Sequence, residues 1–349
     1  MKKTIAILCA LLLALSLCAC STAGNATQPS PQDETTAAPE ATQSAAPQET
    51  PAEAEAKTYV VGICQLVPHA ALDAATQGFQ DALKEKLGDA VTFQLNNAAG
   101  DSATCAVICG QLVSDEVDLI LANATAALQA AASATNQIPV LGTSITDYGT
   151  ALGVADWSGV SGSNISGTCD LAPLDGQAEM LHELFPEAKT VGLLYCSGEP
   201  NSKFQDETIT PLLEAYGYEV KAFTFADSND VAAVTANACG ECDVLYIPTD
   251  NTAAACTEAI NNVALNAGTP IVCGEEGICS GCGVATLSIS YYELGWATGE
   301  MAYEILVNGA DVSTMPVRFA PTFTKEYNAS ICETLGITVP ADYTAIPQA

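Results

Sequence analysis

Three sets of residues in this chain have the types and spacing to do chemistry. The first is thiol. Cys239-Gly-Glu-Cys242 and Cys279-Ser-Gly-Cys282 are two C-x-x-C pairs with 36 residues between their inner members. Zinc ribbons hold their two knuckles about 15–20 residues apart. The wider gap leaves three readings open: a shared metal site of four thiolates, local disulfides, or small buried apolar side chains. The second set is acidic. Asp250 and the pair Glu275-Glu276 each follow a short β-rich run and suit a ligand ammonium, while Asp250 also suits the N-cap of a helix starting near Asn251. The third set is hydroxyl and aromatic. Thr125 and Ser144 suit a ligand carboxylate or a helix cap. Tyr291 and Tyr292 suit stacking on an aromatic ligand or packing between elements. Tyr148, Trp157 and His69 lie where each can approach the same ligand, and His69 equally reads as a solvated side chain.

Catalysis finds no such set. The two histidines, His69 and His182, are far apart, and neither a G-x-S-x-G elbow nor an H-E-x-x-H pair occurs. A secreted hydrolase therefore lacks its nucleophile and base, and the chain reads as a binding protein with no cofactor. Without G-x-x-x-x-G-K-[ST], any ATP hydrolysis belongs to a partner. The formal net charge of -31, from 41 acidic and 10 basic residues, excludes nucleic acid as a partner.

The elements that must position these residues alternate. Tyr59–Ile63 reads as a buried strand, followed by a helix over 69–87 with Leu72, Ala75, Phe79, Ala82 and Leu83 on one face. Strands at 91–95, 117–121 and 138–141 alternate with helices at 101–114 and 124–135. The pattern restarts with a helix at 174–185 and strands at 189–195, 218–225, 242–247 and 270–273, with helices at 201–216, 229–238 and 251–266 between them. A strand at 283–288 and a helix at 292–307 follow. Two β/α series argue for two similar lobes with parallel sheets, 58–170 plus about 290–349 and 171–289. Ligands of such sheets bind beyond the carboxyl ends of the strands. That places Gln65 to His69, Asn123 to Thr125, Ser144, Ser197 to Asn201, Thr249-Asp250-Asn251 and Glu275 around one cleft. A cleft offering helix starts and carboxylates together suits an amino acid.

The amino terminus is a different kind of sequence. Lys2 and Lys3 precede an apolar run, Ile5–Leu17, shorter than the ~20 residues of a stable span. It ends in Leu17-Cys18-Ala19-Cys20, which resembles the bacterial lipobox and makes Cys20 the expected acceptor of palmitate-type acyl chains; an ordinary cleaved signal is the alternative. Residues 1–20 are thus expected to be a lipoprotein signal peptide. Residues 21–57 contain no Val, Ile, Leu, Met, Phe, Trp or Tyr and carry prolines at 29, 31, 39, 47 and 51. They are expected to form a disordered tether reaching about 35 Å.

Four segments taken in order carry a family resemblance. Val61-Gly62-Ile63-Cys64-Gln65-Leu66-Val67-Pro68-His69-Ala70-Ala71-Leu72-Asp73, Val117-Asp118-Leu119-Ile120-Leu121-Ala122-Asn123-Ala124-Thr125, Tyr246-Ile247-Pro248-Thr249-Asp250-Asn251 and Ser290-Tyr291-Tyr292-Glu293-Leu294-Gly295 are similar to segments of the ABC-transporter substrate-binding lipoproteins for aromatic amino acids. The likeness spans roughly 59–337. Cys64, where Ser is more usual, and the abundance of Cys depart from the pattern. The resemblance implies a type I periplasmic-binding-protein fold: two Rossmann-like lobes joined by a hinge of three crossings, with clamshell closure on the ligand. It implies a lipid-anchored receptor on the outer face of a bacterial membrane, passing an aromatic or large apolar amino acid to a permease with a separate ATPase subunit. A ligand sensor feeding a membrane receptor would use the same clamshell. Its implied site residues are the Gln65–His69 loop, Asn123–Thr125 and Ser144 from one lobe, and Ser197, Asn201 and Thr249-Asp250-Asn251 from the other.

Overall fold

The computed structural model describes residues 57–347. The signal peptide, Cys20 and nearly all of the tether lie outside the described residues. The first series runs β1 (Tyr59–Gln65), α1 (Ala70–Leu87), β2 (Val91–Asn97), α2 (Ser102–Ser114), β3 (Leu119–Asn123), α3 (Thr125–Ala134), β4 (Val140–Ile145), α4 (Tyr148–Leu152) and β5 (Ile165–Cys169). The second runs α5 (Leu174–Leu184), β6 (Thr190–Cys196), α6 (Pro200–Ala215), β7 (Glu219–Phe225), α7 (Val231–Glu241), β8 (Val244–Ile247), α8 (Asn251–Ala254), α9 (Thr257–Ala267), β9 (Ile271–Cys273), α10 (Glu276–Cys282) and β10 (Ala285–Ser288). The chain closes with α11 (Tyr291–Leu306), β11 (Arg318–Phe319), β12 (Thr324–Tyr327), α12 (Ala329–Leu335) and β13 (Thr344–Ala345).

Each series builds its own sheet, in the orders β11-β5-β4-β3-β1-β2 and β13-β12-β10-β9-β8-β6-β7. The β2-β1-β3-β4-β5 order of one recurs as β7-β6-β8-β9-β10 in the other. Every pairing is parallel except β10 with β12. Central strands are buried on both faces, as in β3 and β4, because helices cover both sides; the outer strands β2 and β7 alternate with solvent. In both sheets the strand order reverses beside the first strand of the series, which is where doubly wound sheets open a crevice.

Three crossings join the sheets: 170–173, 289–290 and 320–323. The second returns the chain through α11, which lies against α1. Their axes come close because a Cβ on Gly78 would lie 2.1 Å from the Tyr292 carbonyl oxygen, and one on Gly295 would lie 1.9 Å from that of Ala75. Only glycine admits that approach.

Two expectations are corrected here. The segment from 290 does not stay in the first lobe. After β11 the chain crosses again, and β12, α12 and β13 complete the second lobe, where β12 covers the exposed edge of β10 and Ile331, Cys332 and Tyr343 join its core. Strand β5 and the short helices α4 and α10 were not anticipated, since Ile-Ser-Gly-Thr-Cys is no apolar run and α10 spans only seven residues. The cysteine question also resolves. All twelve cysteines from Cys64 to Cys332 are free, ten of them buried, and they sit in the apolar cores of both lobes. Neither C-x-x-C pair is a disulfide, and among the described residues no group of three ligating side chains is arranged to hold a metal ion.

Candidate ligand-binding site

The carboxyl ends of β1, β4 and β5 face those of β6, β8 and β9 across a small cavity. A hydrogen bond spans it, His69 Nε2 to Asn251 Oδ1 at 3.3 Å, and a Cβ on Gly277 would touch Ala70 from the opposite lobe at 3.4 Å. The lobes are therefore closed on one another.

The second-lobe wall is held by carboxylates. Asp250, 1% exposed, caps α8 by accepting from the Ala253 N–H at 2.7 Å. Its other oxygen accepts from the Cys196 N–H and the Ser202 hydroxyl, each at 2.7 Å, which ties β6 and α6 to β8. Burial, then the nearby charge of Glu199, push its pKa up to about 7. Glu199 itself accepts from the N–H groups of Asn251 and Thr252, the Thr252 hydroxyl, and the amides of Asn251 and Asn201. Glu275 caps α10 through the N–H groups of Gly277 and Ile278, and burial pushes it up to about 7. Gln177 fixes this loop by donating to the Gly274 carbonyl.

The first-lobe and hinge wall differs. Asp170, immediately after β5, is 4% exposed; its Oδ2 accepts from the Tyr291 hydroxyl at 3.0 Å while its Oδ1 has no protein partner. Burial raises its pKa to about 6. Ser144 has its Oγ buried and unpartnered at a left-handed φ of 56°, a conformation that costs energy for a residue with a Cβ. His69 Nδ1 is likewise buried and unpartnered, and burial lowers the imidazole pKa. Ala71 and Leu72 bring the first turn of α1 to the cavity; its N-cap residue His69 makes no side-chain cap. An 18-residue helix thus presents its positive end and free N–H groups there.

Of the residues expected from sequence, His69, Ser144, Asn201, Thr249, Asp250, Asn251, Glu275 and Tyr291 line this cavity. Four do not. Gln65 binds Asp73, the Val67 carbonyl and Thr76, and Asn123 binds the Leu72 carbonyl and Thr76, so both brace the β1–α1 loop from behind. Thr125 is buried at the start of α3 away from the cavity, and Ser197 bonds the Phe225 carbonyl at the β6–β7 edge. Asp250 follows its capping alternative. Tyr291 packs with Ala71, Ala75 and Leu294 besides holding Asp170. Tyr292 bonds Asp81 on the surface, and Tyr148 stacks on Trp157 inside the first lobe at 5.7 Å. Asp170 and Glu199 were not anticipated. An acidic residue directly after a strand was the available signal for Asp170, hidden because β5 itself went unread.

Residues 60–348 match the family described as ABC transporter substrate binding protein. The chain belongs to that family. Such proteins are solute receptors of ABC importers on the extracytoplasmic side of the membrane, not enzymes. Among relatives of this substrate-binding protein is one named tyrosine-binding protein, from Clostridioides difficile, 37% identical over 260 residues, covering 74% of this chain and 75% of that one. Two solved structures are similar to this chain. A Streptococcus pneumoniae ABC domain in complex with L-Trp, 32% identical, has a TM-score of 0.79 over 83% of this chain and 100% of that one. The ligand-free, open structure of a substrate-binding protein with adhesive properties from Clostridium difficile, 34% identical, has a TM-score of 0.64 over 84% and 100%. At similar identity the TM-score to the ligand complex is the higher of the two. No helix among the described residues is long and apolar enough to cross a membrane.

Proposed function

We propose that this receptor binds an L-amino acid with an aromatic side chain between its lobes. The observation that carries the reading is the convergence of three buried, unpartnered polar atoms, Asp170 Oδ1, Ser144 Oγ and His69 Nδ1, on a cavity reached by the uncapped start of α1. A buried polar atom without a partner costs about 1–3 kcal/mol. A zwitterion relieves that cost: its ammonium pairs with Asp170, and its carboxylate meets the α1 N–H groups and the Ser144 hydroxyl. The names of the tyrosine-binding relative and the tryptophan complex support the aromatic class. Contacts from both lobes favour the closed state, so ligand shifts the open–closed population.

On this reading a lipid on Cys20 and the tether of 21–57 hold the receptor at the outer face of the membrane. There it delivers the amino acid to a permease powered by a separate ATPase subunit. The test is isothermal titration and thermal shift with the twenty L-amino acids. Aromatic members raise the melting temperature and titrate to one site per chain; a screen in which none does so removes the proposal. For the anchor, acyl chains should be found on Cys20 by mass spectrometry, and Cys20→Ala should release the protein to the medium.

A further inference from the structure

The free groups of the cavity are unequal in kind, and their proton placement can be followed from Glu199 outward. Asn251 donates its Nδ2 to Glu199 Oε2 at 2.7 Å. A carboxylate only accepts, so the amide orientation is set and Oδ1 is the atom turned to His69. That oxygen also only accepts. His69 Nε2, 3.3 Å away, must therefore carry the hydrogen. Burial keeps the imidazole neutral, so its second nitrogen, Nδ1, has a lone pair and no hydrogen. This nitrogen is the buried, unpartnered atom at the cavity.

Of the neighbouring donors the Ser144 hydroxyl is free, while the phenol and the amide are already engaged. Tyr291 gives its hydroxyl hydrogen to Asp170, and Asn201 gives its amide to Glu199 and the Thr249 carbonyl. Asp170 and His69 therefore both ask a ligand for hydrogen, from different places. Asp170 sits inside, at the hinge. His69 sits against Asn251, which also walls the wider groove that continues the cleft outward past Val67, Cys196, Ala255 and Cys256. A ligand whose ammonium is held at Asp170 would run its side chain from the hinge toward that groove, beside His69.

We infer that His69 is the specificity-determining acceptor for a side-chain donor, so that the receptor selects aromatic amino acids carrying an O–H or N–H, tyrosine and tryptophan, over phenylalanine. The inference rests on the amino-acid reading given above. A site built to accept a hydrogen bond rejects the analogue lacking the donor, because the buried acceptor stays unpaired.

The experiment measures Kd for L-tyrosine, L-tryptophan and L-phenylalanine with the wild type, His69→Ala and His69→Gln, each checked for folding by thermal melting. Wild type should prefer at least one of the two donors over phenylalanine by roughly 10-fold or more. His69→Ala also removes the bond to Asn251 across the cleft, so it should weaken all three ligands, the donor ligands by roughly 10-fold more than phenylalanine, closing the gap. His69→Gln, which retains an acceptor oxygen, should restore part of it. Equal wild-type affinity for all three overturns the inference while leaving the amino-acid reading intact, and needs no variant. A preference that survives in His69→Ala also overturns it. Absence of binding by all three removes the amino-acid reading, and this inference with it.

Discussion

The two walls of the cleft are built from the same kinds of residue and use them in opposite ways. In the second lobe Asp250, Glu275 and Glu199 have oxygens occupied by the protein's own N–H, hydroxyl and amide groups. In the first lobe and hinge, Asp170, Ser144 and His69 each keep one buried polar atom without a partner. The difference follows from the helices behind them. Helices α8 and α10 are short, four and seven residues, and each start is tied down by a carboxylate cap. Helix α1 is long, packed along α11, and its first turn carries no side-chain cap. On the proposed reading, one wall gives the site its shape and the other gives it affinity.

Substitution at Asp170 puts the largest strain on this contrast. Asp170→Asn should weaken amino-acid binding about 30-fold or more by removing an ammonium partner from a buried site. It should not lower the melting temperature of the ligand-free protein, since a costly buried charge is removed with its shape retained. Calorimetry and thermal melting read the two effects separately, and unchanged affinity would move the ammonium elsewhere. The matching change on the other wall, Asp250→Ala, should act first on stability, by roughly 2–4 kcal/mol in urea unfolding, from a lost cap and a stranded Cys196 N–H. If it instead abolished binding at undiminished stability, the assignment of the two walls would be reversed.

Acidity should separate binding from stability. Asp170, Asp250 and Glu275 all have folded-state pKa values raised by burial, to about 6, 7 and 7. A group raised on folding holds its proton more tightly in the native state. Its stabilising contribution is therefore complete below the ordinary carboxylate range and is lost as pH rises through about 6–7. Ligand-free protein should thus melt higher at about pH 5 than at about pH 8. Ligand binding runs the other way, because the ammonium needs Asp170 ionised. A ligand-induced melting shift that is the same at both pH values would count against Asp170 as the ammonium site. The smallest effect concerns two half-buried thiols. Cys256 lines the groove of the cleft and Cys239 does not. Ligand should slow maleimide labelling of Cys256 by about 3-fold through closure and leave Cys239 unchanged; equal behaviour would argue against closure over that groove.

Much of the site was legible because strand-to-helix loops are marked locally. The apolar runs ending at Ile63, Leu121 and Ile247 located the cleft, and eight expected residues line it. Gln65 and Asn123 misled because their neighbours in space, Thr76 and the Leu72 carbonyl, lie on α1, for Asn123 about 50 positions back along the chain. Asp170 was hidden by a strand of small polar residues, Ile-Ser-Gly-Thr-Cys, whose burial comes from its place between β4 and β11. The chain from β12 onward joined the unexpected lobe because the edge of β10 needed a partner, and no local periodicity records such a need.

Sequence alone determined the alternation of strands and helices, the two lobes and the loops that face each other, since apolar period and turn residues act within a few positions along the chain. Tertiary structure alone decided which polar atoms in those loops remain free. Asp250 is satisfied by Cys196 and Glu199 by Asn251, partners 54 and 52 positions away, whereas Asp170 Oδ1 is left without a protein hydrogen-bond partner. Hydrogen-bond capacity is a property of each residue, but whether it is already filled depends on what folding brings within about 3 Å.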